Sequence, residues 1–177
     1  LGTHIGGFTP FNFEVTDLLK DRNNFLVLKV DNTRKKEGVP TLNTDWWNYG
    51  GITRDVKIVE TPATFIRDYF IQLNPDNPQL IQGYVRLDGK TIKNQSVKIA
   101  IPKLSVEHET TTDNEGLAAV KINNENITYW SPDKPHLYEV TITASKDTLT
   151  DQIGFRTITT EENKILLNDK SVFLRGI

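Results

Sequence analysis

Leu137-Tyr138-Glu139-Val140-Thr141-Ile142-Thr143-Ala144 alternates apolar and polar side chains with a period of two. Successive side chains of an extended backbone point to opposite faces, so this order builds a strand with one dry and one wet face. Working outward, residues 64–73, 80–87, 97–101, 117–122 and 151–158 repeat the alternation. Asn74-Pro75-Asp76-Asn77-Pro78, Asp88-Gly89, Asp113-Asn114-Glu115-Gly116 and Lys146-Asp147 supply turn chemistry between them. About seven strands in roughly a hundred residues, with turns at regular spacing, read as an immunoglobulin-like β-sandwich. Glu107-His108-Glu109 fits a further strand whose two carboxylates share one solvated face. Trp130-Ser131-Pro132 reads as a loop whose indole caps the sandwich core.

Composition narrows the function classes. The chain has 177 residues, 21 basic against 23 acidic, and a formal charge of −2. That balance offers no basic patch for nucleic acid, and no apolar run approaches membrane-spanning length. Cysteine is absent, which excludes disulfides, zinc–thiolate sites and a cysteine nucleophile. It leaves cytoplasm and periplasm equally open. His4, His108 and His136 are too far apart in sequence for metal-ligand spacing, and no nucleophile-elbow, zincin, P-loop or dinucleotide motif occurs. The chain opens at Leu1-Gly2 and contains no methionine, so it is expected to be a piece of a longer protein.

Upstream of the sandwich, residues 11–15 alternate, and residues 16–21 read as a short helical turn with Thr16 as candidate N-cap. Asn23-Asn24 marks a turn. Residues 25–31 alternate again with apolar side chains on both faces, the pattern of an inner strand. A polar loop, 33–44, leads to Asp45-Trp46-Trp47-Asn48-Tyr49-Gly50-Gly51, and residues 54–59 close the module. Arg54 and Asp55 are expected to form structural ion pairs. The aromatic run has no period, as a core strand would. Rings beside a carboxylate and a carboxamide suit a sugar, whose C–H faces stack and whose hydroxyls hydrogen-bond. The competing reading is a buried aromatic corner between two sheets.

The aromatic run resembles the end of the sugar-binding domain of glycoside hydrolase family 2, the family of β-galactosidases, β-glucuronidases and β-mannosidases. There an Asp-aromatic-aromatic segment leads into Gly-Ile-x-Arg-x-Val, matched by Gly51-Ile52-Thr53-Arg54-Asp55-Val56. His4-Ile5-Gly6-Gly7-Phe8-Thr9-Pro10-Phe11, the block from Asn24 to Asn32, Trp130-Ser131-Pro132-Asp133-Lys134-Pro135-His136-Leu137-Tyr138 and Gly154-Phe155-Arg156 extend the likeness in the same order. The resemblance implies an all-β chain. Residues 1–62 would be the C-terminal part of a jelly roll (a galactose-binding-like sandwich), supplying about three of its roughly eight strands. Residues 63–158 would be the immunoglobulin-like β-sandwich. Residues 159–177 would be a linker and a β-hairpin, turning at Asn168-Asp169, that leads into a (β/α)₈ barrel lying outside this sequence.

The same resemblance assigns Asp45 to contact the sugar, with Trp46, Trp47, Asn48 and Tyr49 walling and shaping the site. It implies no cofactor within these residues and a sodium or magnesium ion in the larger protein, which would be of bacterial type. Retaining hydrolysis needs two carboxyl groups about 5–5.5 Å apart. The family's glutamate motifs do not occur here, so the chain alone is expected to be inactive. The activity expected of the larger protein is that of a β-galactosidase, with β-glucuronidase or β-mannosidase as alternatives. The rival classes are a stand-alone carbohydrate-binding module and a structural immunoglobulin-like segment. A partial jelly roll would also leave strand edges unpaired, predicting disorder, or strand swapping and self-association, upstream of residue 63.

Overall fold

The computed structural model describes residues 1–45 and 47–174. It divides into two compact units, Leu1–Ile58 and Val59–Ile177.

In the second unit the alternation becomes paired strands. β1 (Thr64–Leu73), β2 (Leu80–Gly89) and β5 (Leu117–Asn123) form one antiparallel sheet in the order β1-β2-β5. The facing sheet runs β4-β3-β6-β7, with β3 Ser96–Ile101, β4 Val106–Thr111, β6 Tyr138–Ala144 and β7 Asp147–Ile153. Because β4 pairs with β3 rather than β5, the fourth strand sits in the opposite sheet from its place in a constant-type immunoglobulin domain. The sandwich thus takes its full strand set by recruiting the Glu107-His108-Glu109 segment.

The core follows from the alternation. Val97, Ile99 and Ile101 of β3 and Val140, Ile142 and Ala144 of β6 meet Ile81, Val85 and Leu87 of β2 and Ala118, Val120 and Ile122 of β5 in one buried cluster. Burying a side chain of this size stabilises by about 1.5–3 kcal/mol, so these rows outweigh any surface ion pair in the unit. Tyr138, 2% exposed, opens β6, and its hydroxyl accepts the Thr128 backbone N–H at 2.8 Å. That contact ties the β5–β6 connection to the core, as a tyrosine corner does.

One side of the sandwich is closed by side chains. Asp147 accepts the Ile66 N–H at 2.8 Å, the Tyr69 hydroxyl donates to Asp151, and the Gln72 amide donates to the Gly154 carbonyl at 3.2 Å. The chain then runs into a three-stranded meander, β8 (Ile158–Glu161), β9 (Lys164–Leu167) and β10 (Lys170–Val172). Asn168 and Asp169, with φ of 48° and 62°, form the two-residue turn between β9 and β10, the left-handed pair such a hairpin demands. The strand expected over 151–158 is therefore two strands with a break: residues 154–157 leave the ladder.

The first unit differs. The alternating segments 11–15, 25–31 and 54–59, expected as strands, belong to no strand. A strand exists only where a neighbour accepts and donates its ladder bonds, and among the described residues of this unit no such neighbour is present. The expected helical turn is a 3₁₀ turn over Thr16–Leu18 that begins after Val15. Thr16 does not cap it; its backbone N–H and hydroxyl both bond Glu14. The expected turn at Asn23-Asn24 is present, with Asn23 at φ 58° and the Asn24 side chain bridging both backbone groups of Lys20.

Candidate functional site

The aromatic run hangs from the end of the 25–31 segment. Asn32 and Asn48 exchange bonds: Asn32 Nδ2 donates to the Asn48 carbonyl at 3.1 Å, and Asn48 Nδ2 to the Asn32 carbonyl at 2.6 Å. The Asn32 carboxamide lies so close to Gly50 that a Cβ there would come within 2.7 Å of it. Gly51 follows at φ +105°, a backbone state glycine adopts without strain. Both glycines are thus used, one for close approach and one for its conformation. Arg34 reaches the other side, donating to the carbonyls of Leu42 and Thr44 at 3.4 and 3.5 Å.

Asp45, Trp47 and Asn48 line an open depression of about 340 Å³ together with Arg34. The Trp47 and Tyr49 rings are each 81% exposed, so the buried aromatic corner weighed from sequence is not what forms. Tyr49 is not among the residues that line the depression, and Trp46 lies outside the described residues. Arg34 and Asn32 were not singled out from the sequence. Their signals were faint: a carboxamide just past an alternating run, and the first of three adjacent cations, Arg34-Lys35-Lys36, in a polar loop.

Chemically the depression offers an acceptor in Asp45, a donor in Arg34, a carboxamide already engaged with Asn32, and an exposed indole. That set can hydrogen-bond hydroxyls and stack a sugar face. It offers one carboxylate, fewer oxygen ligands than a magnesium ion takes. Among the described residues no group of three or more carboxylates, histidines or cysteines could hold a metal.

Other expectations resolve elsewhere. Asp55 pairs with Lys57 at 3.2 Å on the surface, while Arg54 donates to the Thr53 carbonyl, so Arg54 and Asp55 do not pair with each other. His4 stacks on Phe11 at 4.6 Å, and His136 packs edge-on against Tyr138 at 4.6 Å. Glu107 and Glu109 project from β4 into solvent, with Glu109 accepting from Ser96 and facing Lys98.

The second unit is an immunoglobulin-like β-sandwich that runs into a three-stranded meander. The family model for glycosyl hydrolases family 2 matches residues 64–156, and the chain belongs to that family. It is 26% identical, over 99% of its length, to a putative beta-glucuronidase of Formosa agariphila. It is 28% identical, over its whole length, to a beta-galactosidase of Thermoanaerobacter pseudethanolicus. These matches cover 23% and 26% of those relatives, so the chain spans about a quarter of their length. Among solved structures, a beta-glucuronidase of Bifidobacterium dentium superposes with a TM-score of 0.52 at 19% identity, over 61% of this chain and 20% of that one. That likeness concerns the fold alone.

Proposed function

We propose that this chain is the sugar-side loop and spacer of a retaining β-glycosidase acting on β-galactosides. In this reading residues 1–62 are the end of a sugar-binding domain. Residues 63–158 are the spacer sandwich, and residues 159–177 lead toward a catalytic domain. The observation that carries it is the joint placement of Asp45, Trp47 and Asn48 around one depression. Asp45 accepts a hydrogen bond from a sugar hydroxyl, a contact that aids turnover to the extent that it strengthens in the transition state. Trp47 stacks a C–H face of the ring, and Asn48, held by Asn32, fixes the loop. Tyr49 shapes the loop beside Asn48. The chain supplies no catalytic carboxylate pair and does not turn over substrate alone.

A second reading, a β-glucuronide substrate, is favoured by Arg34, which lines the same depression and is the residue type that suits a sugar carboxylate. Both readings are tested by titrating isotope-labelled chain with methyl β-galactoside and methyl β-glucuronide while following the amides of residues 45–51. The galactoside should shift these resonances in the wild type and leave Asp45→Asn unmoved. A larger response to the glucuronide that vanishes in Arg34→Gln would transfer the assignment. No response to either sugar would remove Asp45 from the binding role.

A further inference from the structure

Residues 154–157 leave β7 and enter β8 with no strand beside them, yet Gly154, Phe155 and Thr157 are buried. Buried backbone groups must find partners, and here two carboxamides provide many of them. Gln72, from β1, donates to the Gly154 carbonyl and accepts the Arg156 N–H at 2.9 Å. Asn168, from the β9–β10 turn, accepts the Thr157 N–H through Oδ1 at 3.0 Å. Its own N–H donates to the Thr157 carbonyl at 3.0 Å, so it pairs with Thr157 as a strand neighbour would. The Asn168 Nδ2 reaches further and donates to the Trp130 carbonyl at 3.0 Å.

Trp130 completes the joint. Its N–H donates to the Phe155 carbonyl at 2.8 Å, and its ring lies against Gly154, where a Cβ would come within 2.7 Å of the indole. Arg156 sits over the ring, 5.3 Å from its centroid, and donates to the Gly154 carbonyl at 2.9 Å. One asparagine therefore joins three separate stretches of chain: the β5–β6 connection, the 154–157 break and the hairpin turn.

From this geometry we infer that Asn168 is a pin that locks the β8–β10 meander to the end of the sandwich. The hairpin turn alone does not ask for this. A two-residue turn of this kind needs left-handed backbone at both positions, which glycine supplies as readily as asparagine, but glycine has no carboxamide. The pin fixes the direction in which the chain leaves β10 relative to the sandwich. This inference rests on the second unit alone and stands apart from the sugar assignment.

Amide hydrogen exchange on the full 177-residue chain tests it, with Asn168→Gly and Asn168→Asp beside the wild type. In Asn168→Gly, protection of the Thr157 N–H and of the β8–β9 ladder should fall by about tenfold or more, because two side-chain bonds to otherwise buried backbone are lost. Core amides such as Ile99 and Ile142 should keep their wild-type exchange. Asn168→Asp retains an acceptor for Thr157 but loses the donor to Trp130. It should preserve Thr157 protection better than glycine does while moving the Trp130 indole resonance. Unchanged meander protection in Asn168→Gly would overturn the inference, showing that the meander holds itself. Loss spreading to Ile99 and Ile142 would also overturn it, since Asn168 would then be a general element of core stability.

Discussion

Residues 25–31 and β6 both read as strands, the first apolar on both faces and the second on one, and they end in opposite states. Both alternate over seven or eight positions, and both are rich in β-branched or aromatic side chains. In β6 the inward row, Tyr138, Val140, Ile142 and Ala144, is buried because β3 and β7 flank the strand and the other sheet covers it. In 25–31 Phe25 and Val27 are each 90% exposed, and Leu26, Leu28 and Val30 are exposed as well. Alternation tells a chain which side chains could share a face. It does not supply the neighbour that turns an extended segment into a strand, or the layer that buries it.

The comparison makes its largest prediction in the core. Phe155 is fully buried and packs against Tyr138 with ring centroids 5.5 Å apart, so Phe155→Ala should cost about 3–5 kcal/mol of stability in the second unit. Phe25→Ala should leave the denaturation midpoint of that unit in place. Equal effects from the two substitutions in urea unfolding would break the contrast.

A smaller effect concerns association. The exposed apolar rows of the first unit should bind an environment-sensitive apolar dye and draw copies together, since unpaired extended segments are templates for pairing. Replacing Phe25 and Val27 by threonine should weaken dye binding and shift light scattering toward monomer. Monomeric scattering by the wild type, with protected amides between Phe8 and Val30, would show instead that this unit has a closed fold.

The smallest effect sharpens the account of the sandwich seam. Burial first, and then the hydrogen bond to Asp151, push the Tyr69 phenol from 10.0 up to about 12. Its folded value lies above its unfolded one, so the stabilisation is complete below pH 10 and is lost as pH rises toward 12. Thermal midpoints of wild type and Tyr69→Phe should therefore differ by a constant small amount below that range and converge within it. A gap that persists to the alkaline end would detach Tyr69 from the seam.

Much of the architecture was legible because it rests on local rules. The turns at Asp113–Gly116 and Asn168-Asp169, and the buried rows of β2, β3, β5 and β6, follow from residue chemistry and a period of two. The β4 strand was only half legible, since Val106-Glu107-His108-Glu109 carries little apolar signal. The break at 154–157 was legible only through the resemblance, which marks Gly154-Phe155-Arg156 as the join out of the sandwich; the alternation runs on through it, and Gln72 and Asn168 show that it leaves the sheet. At the candidate site, Asp45, Trp47 and Asn48 stood out as a polar and aromatic cluster without a period. Arg34 and Asn32 did not, since their part depends on a return of the chain across 16 residues between Asn32 and Asn48.

The sequence by itself determined an all-β chain, the faces of its sandwich strands, its hairpin turn and the chemical character of the 45–51 loop. Each of these is set within a few residues, by side-chain period, by left-handed turn positions or by composition. The tertiary structure decided which alternating segments became strands, where the fourth strand pairs, and how carboxamides from distant positions replace missing ladders. Those outcomes depend on partners far away in sequence, whose presence no local pattern encodes.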